Sequence, residues 1–330
     1  LSPRVKRLIP WVLSLSIVGF LFLTTDIEAV GDALAGADWG RLVACMAAVT
    51  LGAYVVDSLT LVALFRRFVG RVGVGEVLRI KGVSYFLNAI NYTLAMGGMA
   101  WILHKKRDIK FLETFSSFFW LFFVDIIALC TLITLGLALG PDAIGDSRTV
   151  ERIPYIVLVI WGIVVGSLIY WNGGFDFFVL GRLRAWRVFD TFRRAKLKDY
   201  PTMVLMRSGF IMVYVLMHWS ILPAFGVEID LGHMLLYAPL IAFVQVIPAT
   251  VSGLGAVQGV MVALFTPHVP PEVGGSAAIL AYSTVIGPLM MVMRLVIGYV
   301  FVHSVSKDIV PHKDEVERQI AEAERAPESP

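Results

Sequence analysis

"VIPATVSGLGAVQGVMVALFTP", residues 246–267, interrupts the apolar pattern of the second half of the chain. It is uncharged and follows an apolar run, yet Pro248 removes a backbone donor and Gly253 and Gly255 loosen the chain, so a plain membrane-spanning helix does not fit. Hydrophobic residues make up 58% of the 330, charged residues only 16%, and the mean hydropathy is +0.78, which together mark an integral membrane protein. Backbone N–H and C=O groups cannot be left unpaired in lipid. Irregular chain at membrane depth is therefore tolerated only where protein buries it or a water-filled cavity receives it.

Working outward from that stretch, a span needs about 20 apolar residues. The runs 8–24, 41–65, 114–139, 153–172, 202–223 and 276–305 meet this, and 82–103 and 231–266 are weaker. The stretch Leu8–Thr24 has the basic start of a secretory signal but no Ala-x-Ala cleavage site, and it reads as a retained helix. Loop charges set the orientation. Arg4, Lys6 and Arg7 precede the first span, while 25–40 holds Asp26, Glu28, Asp32 and Asp38, so the N-terminus is expected to be cytoplasmic. Arg66, Arg67, Arg71, Arg79 and Lys81 bring the chain back inside, and His104, Lys105, Lys106, Arg107 and Lys110 follow 82–103 on the same side. Two crossings do not fit in that length, so 82–103 reads as a re-entrant hairpin with "NAINYTLAMGG" at its tip. By the same logic 231–266 enters and leaves from the outer side, as a re-entrant pair or two short crossings.

The expected fold is thus all-α, with about six full spans and two re-entrant or broken-helix pairs. The order span, span, re-entrant, span in 1–140 recurs in 153–306 with opposite orientation, across an outer loop at 141–152. That is an inverted-topology repeat, inferred from topology and not from residue identity; eight independent crossings are the alternative. The second half carries a basic cytoplasmic segment at 173–200, and 307–330 reads as a charged cytoplasmic tail.

The two irregular clusters supply a polar lining without formal charge: Asn88, Asn91, Thr93, Gly97 and Gly98 in one, Pro248, Thr250, Gly253, Gly255 and Gln258 in the other. Small residues also serve helix packing, which is the plainer reading of each glycine taken alone. Asp57, Asp125, Arg207 and Arg294 fall inside spans, where ionisable groups are functional candidates by default, and Asp125 calls for a partner such as Arg207 or Arg294. Arg182, Arg184, Arg187, Arg193 and Arg194 alternate with Leu183, Trp186, Phe189 and Phe192, a composition suited to anionic headgroups at the cytoplasmic face. Cys45 and Cys130 form no metal-ligand spacing, and no His-Glu-x-x-His, Gly-x-Ser-x-Gly or phosphate loop occurs. No enzymatic role, metal, cofactor or nucleic-acid partner is expected.

"IPATVSGLGAVQGVMVALF", with "FLNAINYTLAMGGMAWILHKK" well before it, resembles the flippase-like family named for the membrane domain of lysylphosphatidylglycerol synthetase. The resemblance runs over most of 8–305. Pro248, Gly253, Leu254 and Gly255 match the late motif, with Ser252 for its first glycine and Gln258 for its acid. Gly97 and Gly98 match the early one, with Met99 at the acidic position and Asn91 and Thr93 near the usual proline. Leu121 and Phe122 stand where a Glu-Arg pair is usual, and Asp125 is retained. The resemblance implies movement of a charged or glycosylated lipid headgroup between leaflets; the membrane is expected to be a prokaryotic cytoplasmic (inner) one, and the loop charges place both termini inside. The charge losses favour a neutral, hydroxyl-rich or lipid-linked sugar headgroup, and the chain shows no soluble synthetase domain. Two alternatives stand beside this: an accessory subunit of a membrane glycosyltransferase or envelope-lipid pathway, and a small-solute transporter coupled through Asp125.

Overall fold

The structure is a computed structural model and describes residues 16–17, 19–21, 23–90, 92–107, 109–139, 153–173, 184, 186–246 and 255–309. Among these there is no strand. Ile27–Ala35 (α1) is a short surface helix. Trp39–Phe68 (α2), Val74–Ile90 (α3), Tyr92–Arg107 (α4) and Phe111–Leu139 (α5) complete the first half. The second half holds Ile153–Asn172 (α6), Asp190–Arg194 (α7), Asp199–Ile221 (α8), Leu231–Val246 (α9), Ala256–Phe265 (α10) and Ser276–Ile309 (α11). Five described helices are long and apolar enough to cross a membrane: α2, α5, α6, α8 with its 3-10 extension to Phe225, and α11. Of the further expected span, 8–24, only 16–17, 19–21 and 23–24 are described, and they are helical.

Local chemistry explains the helix starts. Asp26 Oδ1 accepts from the N–H groups of Glu28 and Ala29, and Asp38 Oδ1 accepts from Arg41 N–H, so acidic residues that indicate topology also cap α1 and α2. Asp230 does the same for α9 through His233 N–H.

Two contacts fix α2 and α8 as antiparallel neighbours. Arg67, at the end of α2, holds Asp199, at the start of α8, through two hydrogen bonds of 2.9 Å. At the opposite end Asp38 N–H donates to the Ala224 carbonyl.

Each weak region is a helix hairpin that starts and finishes at one end of the bundle. Glu76, near the start of α3, meets Arg107, the last residue of α4, at 2.9 Å. In the second hairpin Tyr237 of α9 lies 3.2 Å from His268, just past α10. At about 1.5 Å per residue α4 is about 24 Å long and α10 about 15 Å. Both are shorter than the roughly 30 Å hydrocarbon core.

Packing across the halves is reciprocal: α3 lies along α11, and α9 lies along α5. Glycine allows both approaches. A Cβ on Gly298 would stand 2.8 Å from the Phe86 ring, and one on Gly82 would run into Phe301. On the other side a Cβ on Gly136 would stand 2.8 Å from the Leu236 backbone. Helix α6 is the least covered. Only Val157 and Val164 are buried, and Tyr155, Leu158, Val159 and Ile163 face outward, as lipid-facing side chains do.

Candidate functional site

Four helices bring charges together inside the bundle. Arg207 of α8 donates from Nη1 to Asp57 Oδ1 of α2 at 2.5 Å and from Nε to Asp125 Oδ1 at the centre of α5. Lys81 of α3 reaches Asp57 Oδ2 at 2.5 Å. The side chains of Arg207, Asp57, Lys81 and Asp125 are 8%, 11%, 13% and 17% exposed, so each charge has given up most of its water. Removing a charge from water costs several kcal/mol even after relaxation, and each group here is offset by opposite charge at hydrogen-bond distance. Arg207 also lies 4.3 Å over the Phe210 ring, and Phe210 is the next residue but two on the same helix.

Arg294 of α11 is handled differently. Its Nη2 donates to Tyr214 Oη at 2.9 Å and its guanidinium lies 5.7 Å from the Tyr85 ring. Among the described residues no carboxylate pairs with it. Among the described residues, three cations drawn largely out of water, Arg207, Lys81 and Arg294, therefore face two carboxylates, Asp57 and Asp125, which leaves one positive charge in excess.

Of the expected cavity lining, Asn88 is half-buried in the last turn of α3. A Cβ on Gly98 would run into Leu87, so Gly98 is where the arms of the first hairpin touch, whereas Gly97 has open space beside it. Gly255 adopts φ +82°, and Gln258 Oε1 accepts its N–H at 2.6 Å, closing the first turn of α10. Gln258 thus acts as a helix cap. Asn91, Pro248, Thr250 and Gly253 and the side chain of Thr93 lie outside the described residues.

In the basic segment Arg187 is exposed. Arg193 and Arg194 both reach Asp190, at 2.8 and 3.5 Å, and Arg184 donates to the Tyr170 carbonyl while covering its ring. Phe189 and Phe192 pack on Trp171 and Phe119, which seats the segment against α5 and α6. Arg182 lies outside the described residues.

In the sequence Lys81 reads as a loop charge, because 82–103 has the look of the whole hairpin. Helix α3 begins at Val74, however, which carries Lys81 two turns into the bundle. Tyr85 and Tyr214 gave no signal in the sequence, since a tyrosine in an apolar helix matches ordinary packing.

At the hairpin base, burial acts to raise the Glu76 carboxyl. The hydrogen bond and charge of Arg107 outweigh that and hold it below the usual carboxylate range. A depressed acid contributes stability above its unfolded value and loses it as pH falls through its folded value. Glu76→Gln is therefore expected to melt slightly below wild type at neutral pH, with the difference vanishing in strong acid, as thermal unfolding in detergent over that range would read.

A family model described as the lysylphosphatidylglycerol synthase TM region matches residues 7–290. The chain belongs to this family. The match to the lysylphosphatidylglycerol synthase TM region takes in Asp57, Lys81, Asp125, Arg207 and both hairpins, and stops four residues before Arg294. Membership makes the chain an integral membrane protein linked to lipid metabolism. No curated protein gives a significant match.

Proposed function

We propose that the chain binds a membrane lipid or lipid-linked headgroup between its two halves and carries it between leaflets. The carrying observation is the buried network itself: Lys81, Asp57 and Asp125 come from the first half and Arg207 from the second. Ionisable groups at such depth mark substrate paths by default. The charges would meet the polar headgroup while acyl tails stay in the bilayer.

The halves 1–140 and 153–306 are read as an inverted repeat. If α2, α3, α4 and α5 correspond to α8, α9, α10 and α11, the contacts of each half recur in the other. The pair α3–α11 exchanges with α9–α5, α2–α3 with α8–α9, and α4–α5 with α10–α11, while α2 and α8 pack on each other as antiparallel equivalents. Such repeats hold their sites at the shared interface, between discontinuous helices. In this reading the end carrying Arg67, Arg107 and Asp199 is cytoplasmic, as are both termini, in a prokaryotic inner membrane. Arg187 and its neighbours would rest on anionic headgroups there. The chain is not an enzyme in this reading. A second reading, an accessory subunit of a membrane enzyme, is favoured by one observation, the almost uncovered face of α6.

A phospholipid with a photoreactive headgroup, activated in proteoliposomes and mapped by peptide mass spectrometry, separates these. Headgroup transport predicts labels on peptides of α2, α3, α8 and α11. Labels confined to Ile153–Asn172 would oppose it.

A further inference from the structure

A narrow, partly open crevice lies where α2, α3, α8 and α11 meet, lined by Thr50, Tyr85, Tyr214, Met290 and Arg294 along with small aliphatic side chains. Two of its polar groups have donors to spare. A guanidinium has five N–H donors. Arg294 gives one to Tyr214, and no carboxylate among the described residues pairs with it. Thr50 is 4% exposed, and its Oγ1 has no hydrogen-bond partner. Helical threonines ordinarily donate to the carbonyl four residues before. Thr60, Thr131, Thr134 and Thr284 do so in this bundle, whereas Thr50, like Thr114 and Thr266, keeps a buried hydroxyl without a partner, and of these three Thr50 lines the crevice. Both features point to the same missing group. It accepts hydrogen bonds and is negatively charged, because Lys81 and Arg207 are already matched by Asp57 and Asp125 while Arg294 is the surplus cation.

We propose that this crevice binds one unesterified oxygen of a phosphate, the anion common to phosphodiester lipid headgroups and free phosphate. This names the headgroup chemistry of the lipid reading and rests on it. The free space admits roughly one water-sized atom, which suits a single oxygen with the rest of the phosphate outside. Arginine is the side chain best matched to that acceptor, and the Thr50 hydroxyl adds a second donor. The headgroup class thereby shifts from the neutral one that the motif losses favour to an anionic phosphate.

The test uses the purified full chain in neutral detergent with three probes: short-chain phosphatidylglycerol, diacylglycerol of the same chains, and inorganic phosphate. Arg294→Gln is expected to weaken phosphatidylglycerol binding about tenfold, the loss of one charge-assisted contact, with partial recovery in Arg294→Lys. Thr50→Val, nearly the same shape and tolerant of folding if Arg294→Gln is not, is expected to weaken it several-fold. Diacylglycerol binding should be the same in every variant. Competition by inorganic phosphate would assign the site to the free anion, and its absence to the lipid; either supports the oxyanion crevice. Equal affinity for phosphatidylglycerol and diacylglycerol, or unchanged phosphatidylglycerol binding in Thr50→Val and Arg294→Gln, would overturn it. Wild-type leaflet exchange alongside that result would overturn the crevice alone. Failed exchange with intact, Arg294-dependent binding would instead remove the transport reading.

Discussion

Arg207→Gln is expected to lose about 3–5 kcal/mol of stability, the cost of leaving buried charge without its partner. Arg207 holds Asp57 and Asp125 at once, and both carboxylates are sequestered, so its removal takes away the ion-pair partner of Asp125 and leaves Asp57 to Lys81. Thermal unfolding in a mild detergent would show this as a large fall in melting temperature. Replacing Lys81, Asp57, Asp125 and Arg207 together by apolar residues of similar volume is expected to recover most of the loss, because a buried ion network adds little over good packing. The same quadruple variant should have lost headgroup transport. A loss below about 1 kcal/mol for Arg207→Gln, the scale of a solvated pair, would mean that water reaches the network freely.

Gly136→Ala is expected to cost about 1–3 kcal/mol, since the added methyl would meet the backbone of Leu236 and not a side chain that can turn away. A clash with backbone forces α5 and α9 apart along their whole contact. Gly162→Ala on α6 is the internal comparison. Nothing lies within 4 Å of the Cβ it would add, so the better helix propensity of alanine should leave it neutral or stabilise it by up to about 1 kcal/mol. Equal melting temperatures for the two variants would remove the close approach from the account.

Much of this architecture was legible in the sequence because its signals are local. Runs of apolar residues set α2, α5, α6, α8 and α11 to within a few residues, and loop charges required that 82–103 and 231–266 return to the side they entered. The meeting of Glu76 with Arg107, and of Tyr237 with His268, is that return in physical form. Asp125 calls for a partner such as Arg207 or Arg294 because a lone carboxylate at the centre of an apolar helix is costly wherever it points. Three things depended on tertiary placement and left no local trace. Lys81 resembled a loop charge until the start of α3 was known. Arg294 resembled a second partner for Asp125, but its helix directs it to Tyr214 and Tyr85. Gln258 looked like cavity lining, yet three residues after a positive-φ glycine it becomes a helix cap.

In the proposed function a headgroup passes between the two halves. The most direct measurement is leaflet exchange of fluorescently labelled phosphatidylglycerol in reconstituted vesicles, comparing wild type, Asp125→Asn and protein-free controls. Removing one charge from the network should slow transit without abolishing insertion. Exchange well above the protein-free rate is expected for wild type, with a loss of about tenfold or more in Asp125→Asn. Exchange by wild type no faster than in protein-free vesicles would contradict the proposed function.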